Sequence, residues 1–255
     1  MRIEQIKAVI TGGVSGLGFA VARHLVANGG KVALLDINDD RGAAAAAELG
    51  ASASYFRTDV TAEDAIAATL KQASERMGGL NAAINCAGIL GAGRVLGRDG
   101  PMPLKTFDGT IRVNLIGSFN VAKAAADLMQ HNAGGEDGER GVIVNTASIA
   151  AYEGQIGQAA YAASKGGVIG MTLPMAREFA RIGVRVMTVA PGVFHTPMVD
   201  GMPEQVYASL CAQVPYPSRL GTPEEFASTV AFILENRYLN GSVIRVDGAI
   251  RLAPK

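Results

Sequence analysis

Ile6-Lys7-Ala8-Val9-Ile10-Thr11-Gly12-Gly13-Val14-Ser15-Gly16-Leu17-Gly18 decides the fold. Ile6 to Ile10 is a short apolar run suited to a buried strand, and Phe19 to Asn28 reads as a helix. A strand, a glycine loop and a helix in that order aim backbone N–H groups and a helix N-terminus at a phosphate. The spacing is G-x-x-x-G-x-G, not the commoner G-x-G-x-x-G. A glycine loop can also be only a tight turn, so the reading depends on the next strand.

Lys31 to Leu35 forms a second apolar run ending at Asp36. An acidic residue there accepts hydrogen bonds from adenosine ribose hydroxyls and repels a 2′-phosphate. Gly13, Val14, Ser15 and Ile37 carry no positive charge, which favours NAD over NADP. The same aspartate could instead cap the next helix. Further strands are expected at Ser54 to Thr58, Leu80 to Asn85, Val142 to Asn145, Val184 to Val189 and Ser242 to Val246. Helices are expected at Arg41 to Leu49, Ala62 to Met77, Thr106 to His131 and Gln158 to Arg181, the last kinked by Pro174. Thr61 with Asp64 approaches a capping box, and Thr222-Pro223-Glu224-Glu225 is a helix start. The alternation predicts an α/β fold, a doubly wound parallel sheet of Rossmann type in a single domain over residues 1–255, with ligand at the strand carboxyl ends. Ile89 to Lys105 reads as a long loop. Val193 to Pro217 is either a substrate lid or a long connection.

Tyr161 and Lys165 stand four apart, on one face of the helix that carries them. An ammonium near a phenol favours the phenolate and lowers a pKa that is ordinarily about 10. That makes Tyr161 a candidate acid/base, with Ser148 a hydroxyl able to hold a substrate oxygen. A packed tyrosine and a solvated lysine would share this spacing.

The chain of 255 residues is 49% hydrophobic and 18% charged, enough apolar mass for a large core. Its 23 basic and 23 acidic side chains cancel, so neither nucleic acid nor an anionic membrane is expected as a partner. Cys86 and Cys211 form no disulfide framework, and the three histidines show no metal-ligand spacing, so no metal is expected. The first strand begins early, so no cleaved leader is expected, and without an 18-residue apolar run free of charge no membrane span is expected. A reducing compartment is expected: the cytoplasm, or the mitochondrial matrix in a eukaryote.

Thr11-Gly12-x-x-x-Gly16-x-Gly18, Asn85-x-Ala87-Gly88, Asn114, Ser148, Tyr161-x-x-x-Lys165 and Pro191-Gly192 together resemble the short-chain dehydrogenase/reductase family, over about residues 6 to 248. Cys86 stands where the family more often has asparagine. Asn145-Thr146-Ala147-Ser148, Glu153-Gly154-Gln155, Gly157 to Tyr161, Gly170 to Pro174, Pro217 to Gly221 and Arg245 to Arg251 resemble the branch of that family acting on 3-hydroxyacyl-CoA thioesters. The resemblance implies oxidation of the 3-hydroxyl of a short-chain or branched acyl-CoA by NAD, in a homotetramer built through the long helices. It assigns Tyr161 as acid/base and Ser148 to the substrate oxygen. Lys165 goes to the nicotinamide ribose and the phenol pKa, and Asn114 to a water in the proton relay. Gly12, Ser15, Gly16, Leu17 and Gly18 go to the phosphates and Asp36 to the adenosine ribose. Asp59, Val60, Cys86, Ala87 and Gly88 go to the adenosine side, Pro191, Phe194 and Thr196 to the nicotinamide, and Gln155 to the substrate. Two other enzymes share the scaffold: a 3-oxoacyl carrier-protein reductase and a hydroxysteroid or other secondary-alcohol dehydrogenase. A non-catalytic nucleotide-binding protein fits poorly, because Tyr161 and Lys165 are both present.

Overall fold

The apolar runs are strands separated by helices, in a computed structural model that describes residues 1–197 and 203–254. From the N-terminus, β1 (Lys7–Thr11) leads to α1 (Gly16–Ala27), β2 (Lys31–Asp36), α2 (Asp39–Leu49), β3 (Ala53–Arg57), α3 (Glu63–Met77) and β4 (Ala82–Asn85). A two-strand ribbon, β5 (Leu96–Gly97) with β6 (Gly100–Pro101), interrupts the stretch expected to be only loop. The chain continues through α4 (Leu104–Ile111), a wider π turn over Arg112–Ile116, α5 (Gly117–Met129), β7 (Gly141–Thr146), α6 (Ala159–Phe179) and β8 (Val184–Pro191). It closes with α7 (Glu204–Ala212), α8 (Pro223–Glu235) and β9 (Val243–Val246).

Seven parallel strands make one sheet in the order β3-β2-β1-β4-β7-β8-β9. Side chains alternate across it, as the period of a strand requires. Ala8, Ile10, Leu34, Ile84 and Val144 face α1 and α8, while Val9, Leu35, Ala83, Ile143 and Val186 join the side chains of α3, α5 and α6. The central strands are buried on both faces, which explains their unbroken apolar runs. The winding reverses between β1 and β4, and the crevice there opens at the carboxyl ends of the strands.

Several boundaries differ from expectation for local reasons. α1 starts at Gly16, earlier than Phe19, so two loop glycines lie in its first turn. The long helix expected from Thr106 is helical, but the π turn inside it carries Asn114, which is fully buried. Ala62, not Thr61, occupies the N-cap position of α3, because Asp59 Oδ1 accepts from both the N–H and the hydroxyl of Thr61. α6 continues through Pro174; Gly170, whose carbonyl has no donor from that proline, is exposed and open to water. The stretch expected as lid or connection contains α7, and its residues Met198 to Met202 lie outside the described residues.

Gly18 is the tightest point of the glycine loop. A carbon added there would lie 2.4 Å from the Gly12 carbonyl oxygen, whereas one at Gly109 on α4 would meet nothing within 4 Å. Gly18→Ala should therefore lower the urea midpoint by an overpacking cost of about 1–3 kcal/mol. Gly109→Ala should be neutral or stabilising by roughly 0.5–1 kcal/mol in the same titration.

Candidate active site

The site is built where β1 meets β4. Thr11 Oγ1 accepts the N–H groups of Cys86 and Ala87, each at 3.1 Å. Gly12, at φ +62°, lies so close to this segment that an added carbon would be 2.9 Å from the Ala87 nitrogen. The glycine loop and the end of β4 are thus held together by the Thr11 hydroxyl and by the close approach of Gly12 to the Ala87 peptide. A cavity of about 590 Å³ opens over this junction. Its wall includes Gly12, Ser15, Gly16, Leu17, Gly18, Asp36, Asp59, Val60, Cys86, Ala87 and Gly88 at one end. Ser148, Gln155, Tyr161, Lys165, Pro191, Phe194 and Thr196 lie in the same wall. Of the expected residues, only Asn114 stands behind the wall.

Asp36 closes β2, and one of its carboxylate oxygens accepts the Asn38 N–H at 3.1 Å. Asn38 caps α2, its side chain accepting the Arg41 N–H at 3.0 Å. The capping alternative for Asp36 therefore fails, and Asp36 lines the cavity. Spacing did not reveal Arg41, whose guanidinium donates to the Val14 carbonyl at 3.3 Å. A positive charge thus reaches the glycine loop from α2.

At the other end, α6 carries Tyr161, Ser164 and Lys165. Lys165 is 4% exposed, and its ammonium donates to the Thr146 carbonyl at 2.7 Å. Burial pulls its pKa down to about 8. It sits 5.8 Å from the Tyr161 ring centroid. Burial raises the Tyr161 phenol, and a hydrogen bond with the Ser148 hydroxyl pulls it back. The net shift is upward, contrary to the lowering expected from Lys165, because both groups lose water together. Ser148 Oγ also accepts the Ala150 N–H at 3.1 Å, which fixes its rotamer above the end of β7. Cys86 is held protonated, its thiol pushed up to about 11 by burial despite a contact from the Thr146 hydroxyl.

Asn114 braces this end from behind. Its amide accepts from the Ile89 N–H at 2.8 Å and donates to the Ile89 carbonyl at 2.9 Å and to Ser164 Oγ at 3.0 Å. Ser164 Oγ in turn donates to the Tyr161 carbonyl at 2.7 Å. A mid-helix asparagine is ordinarily solvated or bonded to nearby backbone; this one bonds to backbone in another segment. Gln155, expected at the substrate, donates to the Ala253 carbonyl at 3.0 Å. Sequence reading missed Thr11 and Thr146, whose roles rest on a hydroxyl and a carbonyl at strand ends. It also missed Leu210 and Leu252, which line the cavity from segments far along the chain.

A strand–glycine loop–helix under a long crevice, with an acid at the next strand end and a buried tyrosine–lysine pair, defines a nucleotide-dependent dehydrogenase. The chain belongs to the short chain dehydrogenase family, whose model matches residues 7–206. It is 50% identical over 254 residues to the 3-hydroxyacyl-CoA dehydrogenase type-2 of Bos taurus, covering 99% of this chain and 97% of that protein. The Homo sapiens protein of the same name is 49% identical with the same coverage. The crystal structure of 3-hydroxyacyl-CoA dehydrogenase type-2 from Mycobacterium avium matches with a TM-score of 0.95 at 45% identity, covering 99% of this chain and 98% of that one. The protein is an oxidoreductase, and its family implies a nicotinamide cofactor, NAD or NADP. The residues present fit such a group. Gly16 and Leu17 bring the N-terminus of α1 to the cavity wall, where it suits a diphosphate, and the missing side chain of Gly88 leaves space beside Asn114 Oδ1 and Lys165 Nζ. Among the described residues, no helix is long and apolar enough to cross a membrane.

The lysine gives a stability signature. Unfolded, Lys165 titrates near its ordinary 10.5; folded, near 8. Between those values the unfolded chain holds a proton that the folded chain has lost, so this group's contribution rises with pH across the window. Below about 8 both states are charged, and the fold bears the full desolvation cost. The urea midpoint of the wild type, measured relative to Lys165→Met, should therefore climb between about pH 8 and about pH 10. A flat difference would mean that the ammonium is hydrated.

Proposed function

We propose that the protein oxidises the 3-hydroxyl of short-chain or branched 3-hydroxyacyl-CoA thioesters to 3-ketoacyl-CoA, with NAD as acceptor. The observation that carries this is near-50% identity over the whole chain to dehydrogenases named for that substrate. Ser148 donates a hydrogen bond to the substrate oxygen and Tyr161, as phenolate, removes its proton. Lys165, fixed by the Thr146 carbonyl, supplies positive charge beside the phenol and a donor for the nicotinamide ribose. Asn114 holds the helix that carries Tyr161 and orders a water behind it. When bound, the nicotinamide accepts the hydride from the carbinol carbon.

Asp36 supports NAD over NADP: its carboxylate suits two ribose hydroxyls and opposes a 2′-phosphate. Ser15 and Leu17 contact the phosphates, Asp59, Val60 and Cys86 the adenosine, and Phe194 and Thr196 the nicotinamide. A homotetramer fits the apolar side chains Leu104, Phe107, Ile116, Phe119 and Leu173, which stand exposed on α4, the π turn, α5 and α6. A cytoplasmic or mitochondrial-matrix setting and a place in fatty-acid metabolism go with this substrate.

Initial rates with 3-hydroxyacyl-CoA thioesters, 3-hydroxyacyl carrier protein and hydroxysteroids, each with NAD and NADP, test the reading. The thioester with NAD should give the highest kcat/KM; a steroid or carrier-protein substrate ahead of it refutes the proposal. Tyr161→Phe should lower kcat about 10²–10⁴-fold with the melting temperature unchanged. In the wild type, kcat/KM for oxidation should rise with pH as the phenol ionises. Ser148→Ala should move that limb to higher pH, because it removes the hydrogen bond that offsets burial. Asp36→Ala should weaken NAD and improve NADP, the more so because Arg41 stands at the same loop.

A further inference from the structure

The cavity wall includes apolar residues that the proposed proton transfer does not use, among them Leu210 of α7 and Leu252. Leu252 lies beyond β9 in a segment with no helix or strand of its own. Three contacts nevertheless hold that segment in place. Ile250 is fully buried in a small cluster with Ile149 and Val214, and Leu252 packs against it. Gln155 Nε2 donates to the Ala253 carbonyl at 3.0 Å. The Ile156 N–H donates to the Pro254 carbonyl, also at 3.0 Å. Leu252 therefore sits between an apolar anchor on one side and two hydrogen bonds on the other, which fixes how far it reaches into the cavity. Gln155 Nε2 is used on the strap, and its Oε1 faces Gln158 at 3.5 Å, so its amide is turned to the chain's own backbone.

We infer that residues 250–254 form the wall that limits acyl length, with Leu252 the specificity-determining residue and Gln155 a positioning residue acting through the Ala253 carbonyl. The inference rests on the acyl-thioester reading above. A chain that just reaches an immobile apolar wall buries its last methyl group against it; a longer chain must displace the wall or fold back. Apolar pockets discriminate by roughly tenfold or more per methylene.

The test is the ratio of kcat/KM for 3-hydroxyoctanoyl-CoA to that for 3-hydroxybutanoyl-CoA at saturating NAD. Leu252→Ala should raise this ratio about tenfold, with Leu252→Val giving a smaller rise if the alanine variant is unstable. Leu252→Met should stay near the wild-type ratio. An unchanged ratio in a variant that keeps its melting temperature and NAD affinity overturns the wall. Gln155→Ala should raise the same ratio, and adding Leu252→Ala to it should raise it little further, because both act on one element. Fully additive effects would instead place Gln155 on the substrate. If the wild type oxidises neither thioester, the proposed substrate is wrong. The wall then stands or falls on the same ratio taken with 2-octanol and 2-butanol.

Discussion

The site depends on the near contact between two stretches of bare backbone. The Thr11 hydroxyl takes the Cys86 and Ala87 N–H groups, and Gly12 lies against the Ala87 peptide. Strands β1 and β4 pair directly, with Thr11 opposite Asn85, so this contact continues the sheet past its last ladder bond. It places the start of α1, the end of β4 and the floor of the cavity in one rigid unit. A side chain at Gly12 or Gly18 would meet this backbone and force the unit apart.

The second constraint is the burial of a phenol and an ammonium together. Both groups are desolvated, and each is pushed toward its neutral form. The fold offsets this with fixed dipoles: the Thr146 carbonyl on Lys165 and the Ser148 hydroxyl on Tyr161. A buried charge with one good hydrogen bond is still costly, and such strain concentrates at reacting centres. What keeps the pair in place is the chain of bonds from Ile89 through Asn114 and Ser164 to the backbone of Tyr161. The π turn is part of that brace, since it directs Asn114 inward from a helix whose outer face is exposed.

Much of the fold was legible because central parallel strands are continuous apolar runs, and glycines mark the turn after β1, which admits no side chain at Gly12 or Gly18. The capping box at Thr222 was legible for the same reason: Pro223 and Glu225 hold fixed offsets, and Glu225 does accept the Thr222 N–H at 2.8 Å. Tyr161 and Lys165 stood out by their spacing and other candidates came with the family resemblance; the cavity wall includes all of the candidates except Asn114. What spacing could not show were the contacts made across the chain. Arg41 on α2 reaches back to Val14 in the loop, and Leu252 reaches the cavity from a segment held by the Ile250 cluster and by hydrogen bonds from Gln155 and Ile156. The direction of the Tyr161 shift also escaped the sequence, because a lysine four residues away says nothing about the water both groups have lost.

The central claim is that this cavity joins a carbinol and a nicotinamide directly, with Tyr161 handling only the proton. Single turnover of 3-hydroxybutanoyl-CoA carrying deuterium on its carbinol carbon, with NAD in ordinary water, tests it most directly. Mass analysis should find the deuterium on the nicotinamide ring of the reduced cofactor and none in the solvent. Deuterium washed into water, or a reduced cofactor without label, would contradict the account.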